Sequence, residues 1–278
     1  MIGEGSENQS DQQNSDPSGG DGASDSAGSE REIVYSASIA PTETAAMSHL
    51  LEVGTVEIIG QMPFSSNGTF FTQVRLGDDF APAIYKPESA ERPLWDFPGG
   101  LWKREIASWE LSEVLGFSLV PPTVATEGTE RFGRGSLQAF IPARFEDHYF
   151  TIRNNASNRV IRDLQRLCAL DIVANSTDRK AGHCLIDDDD HIWAIDNGLG
   201  FHSEFKLRTV IWDFAGESID PAILEPLRTL ARTELPLRLA RWLDQPEIDA
   251  LFARTAGILG GARFPTDPTG RRVPWPLI

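Results

Sequence analysis

Residues 175–202 read NSTDRKAGHCLIDDDDHIWAIDNGLGFH, and this stretch decides the fold class of the chain. Asp178 follows a short polar turn, and Asp196 follows the apolar run IWAI. HCLI and HIWAID predict two short strands joined by the acidic turn at residues 187–190. A hairpin of this kind brings both carboxylates to one cleft, where one can orient a hydroxyl group and the other can hold a metal ion.

The composition favours a soluble globular protein: of 278 residues, 40% are hydrophobic and 24% are charged. The formal net charge of -16 argues against unspecific binding to nucleic acid or to an anionic membrane surface. No apolar run approaches the ~20 residues that span a bilayer. Two cysteines without metal or disulfide spacing, and an N-terminus unlike a signal peptide, favour a cytoplasmic location. The oligomeric state stays open.

The composition changes along the chain and suggests three parts. Residues 1–35 are rich in Ser, Gly, Asp, Gln and Asn, cannot bury enough apolar area to offset the entropy of ordering, and are predicted to be a disordered acidic tail. Residues 50–142 predict a strand-rich N-terminal lobe, and residues 143–278 predict a helix-rich C-terminal lobe. This order favours an α+β fold with two lobes.

Local patterns place the elements within each lobe. TVEIIGQMPF, FFTQVRL and PAIYKP predict a three-strand meander over residues 55–86. LWKREIASWELSEVLG, at residues 101–116, predicts a helix, and FSLVPPTVAT and GRGSLQAFIP predict two further strands. In the second lobe, NRVIRDLQRLCALDIVANS predicts a helix to about Ala174, and residues 220–260 predict several more helices.

A turn, a lysine and a helix glutamate in the first lobe suggest a site for a nucleotide. The turn offers backbone amides and small side chains that can approach phosphates closely. Lys86 ends the third strand as a point charge, and Glu105 on the helix can pair with it; Glu110 and Glu113 rank below Glu105 as partners. Each of these features, taken alone, has an ordinary structural explanation: the turn as a hairpin turn, Lys86 as a solvated surface residue, and Glu105 as an exposed helix residue. The turn residues are Ser65, Ser66, Asn67 and Gly68.

The second lobe contains candidates for the two further groups that phosphoryl transfer needs, a carboxylate to orient the hydroxyl and a ligand for the metal ion. Asp178 is the candidate to orient an attacking hydroxyl, and Asp196 is the candidate ligand for a hard metal ion. Arg179 or Lys180 can stabilise charge in the transition state. TDRKAG alone is more typical of a polar loop, but the ordered set of turn, lysine, glutamate, aspartate loop and strand-Asp-x-Gly is hard to attribute to chance.

The two loops of the second lobe resemble those of the phosphatidylinositol 3-/4-kinase-like superfamily. LDIVANSTDRKAGHCLI and HIWAIDNGLGFH are similar to the D-I-x-x-x-N-T-D-R-x-x-G-N and I-D-x-G-L runs of the type II phosphatidylinositol 4-kinase branch. REIASWELSEVLGFSLVPPT resembles the R-E-x-A-A-Y helix and V-P-P-T strand of that branch. YKPESAERPLWDFP also resembles a segment of an actinobacterial group of the superfamily. The resemblance covers roughly residues 55–205.

This resemblance implies a two-lobed, protein-kinase-like fold that transfers the γ-phosphate of ATP, with Mg²⁺ or Mn²⁺, to a hydroxyl. Matched by position, Lys86 binds phosphate with Glu105 as its partner, Asp178 is the catalytic aspartate, and Asp196 binds the metal. The turn at residues 65–68 matches the phosphate loop. The adenine hinge is expected near Gln138, Phe140 and Ile141.

One position departs from the resemblance: His183 stands where the superfamily has a metal-binding asparagine. Imidazole is a poor ligand for magnesium but is acceptable for manganese or zinc. His183 therefore indicates either a softer metal, or a single metal, or a pseudokinase that binds nucleotide without turnover. Lys180, which replaces a usual histidine, is a milder change. Transfer of the nucleotidyl group remains a third alternative, and the acceptor (lipid, protein or small molecule) stays unidentified.

Overall fold

The structure, a computed structural model, describes residues 36–63 and 68–278. The predicted disordered tail and three residues of the predicted phosphate loop lie outside the described residues; the three are Ser65, Ser66 and Asn67. Gly68 is described, and its backbone N–H donates to the carbonyl of Ala90. Among the described residues, no helix is both long enough and apolar enough to cross a bilayer.

An antiparallel sheet forms the first half of the described fold. The strands are β1 Thr55–Gln61, β2 Phe70–Leu76, β3 Asp79–Pro87, β4 Thr123–Thr129 and β5 Gly133–Ala139. They stand in the order β1-β2-β3-β5-β4, so the first three form the predicted meander. The fourth strand begins at Thr123, later than predicted, because Pro121 and Pro122 have no N–H to donate to a ladder.

Two helices accompany this sheet. Helix α1, Thr44–Val53, was not predicted, and it places Met47, Leu50 and Leu51 in the core. These three positions have the i, i+3, i+4 spacing of an amphipathic helix. Helix α2, Leu101–Val114, is the predicted one and ends two residues before the predicted Gly116. Its N-terminus is held by the carboxylate of Glu91, which accepts from the backbone N–H groups of Gly100 and Trp102.

The second half is mostly helical and contains the predicted hairpin. The long helix α4, Asn158–Ala174, is capped by Ser157, whose hydroxyl accepts from the N–H of Val160. It ends at Asn175, which adopts the left-handed conformation and turns the chain toward residues 176–183. The elements are α3 Tyr149–Asn154, α4 Asn158–Ala174, β6 Cys184–Ile186, β7 Ile192–Ala194, α5 Pro221–Arg232, α6 Leu237–Ala240 and α7 Gln245–Gly261.

Long-range polar contacts fix the loops that follow α4. The side-chain amide of Asn175 donates to the carbonyls of His202 and Glu204. The backbone N–H of Thr177 donates to the carbonyl of Leu199. The segments on either side of the β6–β7 hairpin are therefore tied to each other, which places Asp178 and Asp196 in one region.

Candidate active site

Lys86 on β3 links three elements of the fold. Its ammonium group bonds to Glu105 on α2 and lies 2.9 Å from Oδ1 of Asp196. Burial disfavours the charged form of Lys86 and alone would lower its pKa. The negative charges of Asp196 and Glu105 outweigh this effect and hold the pKa of Lys86 well above the usual range. The buried Glu105 also accepts, at 3.0 Å, from the backbone N–H of Asn197. Glu110, the less favoured candidate partner of Lys86, instead lies 3.2 Å from Arg238.

Asp196 presents an ionised carboxylate to the cleft. Its side chain is 55% exposed, and the charge of Lys86 holds its pKa well below the usual range. Its backbone is left-handed, with φ +56, a conformation that costs a non-glycine residue about 1–3 kcal/mol and is concentrated at functional sites. Two residues later, the backbone of Gly198 lies close to Glu105, because a Cβ atom at position 198 would lie 3.2 Å from Oε1 of Glu105. The turn after Asp196 therefore packs against the carboxylate that pairs with Lys86.

Asp178 lies on the same cleft beside Lys180. The ammonium of Lys180 is 3.2 Å from Oδ2 of Asp178. Burial raises the pKa of Asp178, although the charge of Lys180 opposes the shift. Both residues line a first cavity of about 460 Å³, together with Lys86, Glu105 and Asp196. This carboxylate is therefore a stronger base than a solvated aspartate.

Arg179 has a structural position instead. It is buried, and its guanidinium bonds to both oxygens of Asp171, to the side-chain oxygen of Asn197 at 2.5 Å and to the carbonyl of Ile195 at 2.7 Å. Of the two residues considered for charge stabilisation, Lys180 is the one that lines the first cavity. Arg179 holds the loop of Asp178 to the segment of Asp196.

His183 occupies the position between the two aspartates. Its Nδ1 lies 3.0 Å from the carbonyl oxygen of Asp178, and its Nε2 lies 3.3 Å from Oδ2 of Asp196. Burial lowers the pKa of His183 to about 4, so the ring is neutral near pH 7. A neutral imidazole and an ionised carboxylate make a two-ligand set that suits manganese or zinc better than magnesium. No group of three or more ligand side chains gathers within the described ranges.

A second cavity of about 450 Å³ contains the predicted adenine hinge. Phe140 and Ile141 line it with the apolar side chains of Leu185 and Ile195. Gln138 also borders this cavity, but its side-chain amide donates 2.9 Å to the hydroxyl of Thr123 and so ties β5 to β4. The two cavities share part of their walls; the shared residues are Thr69, Lys86, His183 and Asp196.

Two contributors to the cleft had no motif in the sequence. Ile278 lines the second cavity, and the carbonyl of Leu277 accepts from the N–H of Ala181 at 2.7 Å. The C-terminal segment therefore lies across the loop that carries Asp178. Thr69, just after the predicted phosphate turn, borders both cavities and was also missed.

Comparisons with solved structures address the fold. The structure of hydra Fam20 with sugar matches with a TM-score of 0.50 at 12% identity, over 80% of this chain and 89% of that one. The Helicobacter pylori proinflammatory kinase CtkA matches with a TM-score of 0.41 at 10% identity, over 76% and 91% of the two chains. The first of these two matches confirms the predicted kinase-like α+β fold. The specific phosphatidylinositol kinase branch stays a prediction.

Comparison of sequences addresses the family. No protein-family profile matches the chain. Protein Rv2133c of Mycobacterium tuberculosis is 33% identical in an alignment of 264 residues, and the match covers 82% of this chain and 94% of that protein. Identity at this level over nearly the full length of the relative shows common descent. The chain therefore belongs to the same protein family as Rv2133c of Mycobacterium tuberculosis.

Proposed function

We propose that the protein is an ATP-dependent phosphotransferase that moves the γ-phosphate of ATP to a hydroxyl group. One observation carries the proposal: Lys86, bonded to Glu105 and Asp196, lies on the shared wall of two cavities, and Asp178 lines one of them. A nucleotide that spans this wall would have its base on one side and its terminal phosphate on the other.

The second cavity suits the base. Its walls include the apolar side chains of Phe140, Ile141, Leu185 and Ile195. Pockets of this size lined mainly by apolar groups are typical of sites that bind small molecules and cofactors. Lys86, at the border with the first cavity, would then contact the phosphates as a fixed positive charge.

The first cavity suits the transfer step. The acceptor oxygen bonds to the γ-phosphorus while the bond from that phosphorus to the bridging oxygen breaks, and ADP leaves with the electron pair. The hydroxyl proton passes to Asp178, whose raised pKa favours the transfer. Lys180, 3.2 Å from that carboxylate, supplies positive charge beside the moving phosphoryl group.

Asp196 and His183 are the residues that would hold Mg²⁺ or Mn²⁺. A divalent ion bound there would neutralise charge on the phosphates of ATP. His183 donates no oxygen, so this pair favours manganese over magnesium.

The His183→Asn variant should change the metal preference. We expect the ratio of transfer with Mg²⁺ to transfer with Mn²⁺ to rise about 10-fold, because an amide oxygen is a harder ligand than imidazole. Calorimetric titration of each metal into protein saturated with a non-hydrolysable ATP analogue gives a second readout. His191→Asn is the matched control, since its ring bonds to the carbonyl of Ser118 outside the cleft. An unchanged metal preference would remove His183 from the ligand set.

Labelled ATP tests the proposal itself. Purified protein with γ-labelled ATP should label an acceptor, and α-labelled ATP should not; label from the α position would indicate nucleotidyl transfer instead. The Lys86→Met variant should lose at least about 100-fold of the transfer, because a fixed charge on the phosphates is removed. Lys103→Met on α2 is the control. Phosphatidylinositol vesicles form one arm of the acceptor panel, since the lipid kinase branch is part of this proposal.

His183 favours a second candidate, a pseudokinase that binds nucleotide without turnover. Its imidazole contacts Asp196, the carboxylate that would hold the metal. Tight ATP binding with no transfer under either metal, and transfer gained by His183→Asn, would establish this alternative.

A further inference from the structure

A basic groove lies beside the loop that carries Asp178 and is not used by the proposed transfer step. It has a volume of about 430 Å³. Its lining includes two acidic residues, Asp96 and Glu204, together with two exposed aromatic residues and four cationic residues. We refer to the aromatic and cationic residues of this lining as the basic groove. These residues are Trp95, Phe205, Lys206, Arg208, Arg271 and Arg272.

Backbone hydrogen bonds connect the basic groove to the loop of Asp178. The N–H of Arg208 donates to the carbonyl of Ser176 at 2.9 Å, and the carbonyl of Arg208 accepts from the N–H of Arg179 at 3.1 Å. The carbonyl of Arg272 in turn accepts from the N–H of Thr209. The backbone of Arg208 is thus bonded directly to the loop that carries the candidate base, and Arg272 is linked to that loop through Thr209.

The loop before α2 also connects the basic groove to the first cavity. Leu94 lines the first cavity, and the next residue, Trp95, lines the groove. Lys206 donates to the carbonyl of Asp96 at 2.7 Å and so anchors this loop to the groove. A ligand that lies in the groove can therefore extend toward Asp178.

The charges of the basic groove are only partly neutralised. Lys206 has two acidic neighbours within 4 Å, Asp96 and Glu204. Arg208 and Arg271 are exposed, and neither forms an ion pair with any residue in the ranges the structure describes. The chain has 41 acidic and 25 basic residues, so acidic partners are plentiful in the sequence. Both arginines are therefore free to pair with the carboxylates of a ligand.

The aromatic residues indicate a polypeptide. Trp95 is 96% exposed and Phe205 is 48% exposed, with the guanidinium of Arg272 5.0 Å from the centre of the Phe205 ring. Tryptophan and arginine are the residues most enriched among those that dominate binding at protein interfaces. Arginine binds carboxylates through paired hydrogen bonds. An anionic bilayer fits less well, because each basic residue contributes only about 1 kcal/mol there and the protein is strongly acidic.

We propose that the basic groove binds an acidic segment of a polypeptide acceptor, whose hydroxyl is phosphorylated in the first cavity. This inference rests on the proposed phosphotransferase function and names its substrate class. Carboxylates of the acceptor pair with Arg208 and Arg271, and its backbone or apolar side chains pack on Trp95.

Peptide binding tests the groove without requiring catalysis. The probe is a fluorescent ten-residue peptide with one serine among glutamates and aspartates, and fluorescence anisotropy measures its affinity. A Ser/Gly peptide of equal length is the neutral comparison. We expect the acidic peptide to bind more tightly, with an affinity that falls as salt rises, and the double variant Arg208→Ala/Arg271→Ala to weaken it about 10-fold.

The control removes the same charge elsewhere. Arg162 and Arg232 are exposed arginines on α4 and α5, and replacing both by alanine should leave peptide affinity unchanged. Trp95→Ala, at a side chain too exposed to support the fold, should also weaken binding. Equal affinity for acidic and neutral peptides, or no effect of either groove variant, would overturn the proposal.

Three further outcomes separate this inference from the proposed function. If the double variant loses binding to phosphatidylserine vesicles but keeps its affinity for the peptide, the groove binds a membrane surface and the proposal is wrong. If the acidic peptide binds through the groove but no phosphate reaches its serine, while another hydroxyl is phosphorylated, the acceptor assignment fails and the phosphotransferase stands. If no hydroxyl is phosphorylated at all, the proposed function fails as well.

Discussion

Replacing Asp178 by asparagine is expected to lower the rate of phosphate transfer by about 10²- to 10⁴-fold, the range for loss of a general base. The amide keeps the size of the side chain but cannot take the proton of the acceptor hydroxyl. Nucleotide affinity should change little, because Lys86 and the apolar cavity contact the nucleotide in this assignment. Initial rates with γ-labelled ATP, together with a direct measurement of ATP affinity, separate the two effects.

The pH dependence gives an independent test of Asp178. Burial raises the pKa of this carboxyl above the value near 3.9 of an ordinary aspartate. As the pH falls, Asp178 therefore becomes protonated, and loses its function as a base, at a higher pH than an ordinary aspartate would. Transfer by the wild-type protein should therefore decline on the acid side, and the residual transfer of Asp178→Asn should lack that decline. Asp188→Asn, on the exposed β6–β7 turn, is the control and should behave as wild type. Full transfer by Asp178→Asn would remove this residue as the base.

Local sequence patterns were sufficient to predict much of the fold. The strands around Lys86 and the helix of Glu105 have alternation and spacing that depend only on near neighbours, and the structure contains them. Helix α1 had the same kind of pattern, with Met47, Leu50 and Leu51 at helical spacing, and was missed although its signal was present. The late start of β4 also follows from a local rule, the absence of N–H groups in two successive prolines.

The parts of the site that escaped prediction depend on contacts between distant residues. Arg179 stands beside Asp178 in a polar run, and only its contacts with Asp171 and Asn197 show that it faces the interior. Ile278 borders the second cavity although one hundred residues separate it from Asp178. No periodic pattern records such a contact, because hydrophobic spacing identifies the face of an element and not its partner.

The second large effect concerns stability, at the ion pair that joins α2 to α7. Arg104 and Glu247 are both buried and bonded to each other. The guanidinium of Arg104 also donates to the carbonyls of Gly99 and Gly100, and Glu247 accepts from the N–H of Asp244 at 2.9 Å. Replacing either partner by alanine leaves a buried charge without compensation and should lower the free energy of unfolding by about 3–5 kcal/mol.

Urea denaturation followed by tryptophan fluorescence measures this loss, and an exposed pair provides the comparison. Glu225 and Arg228 lie 3.0 Å apart on α5, and Glu225→Ala should cost less than about 1 kcal/mol. Replacing both buried partners with apolar residues, in Arg104→Met/Glu247→Leu, should recover most of the loss, because no unpaired charge remains. If Arg104→Ala costs no more than Glu225→Ala, the buried pair does not hold α2 to α7. Arg104 precedes Glu105 on α2, so loss of this pair should also loosen the contact between Glu105 and Lys86.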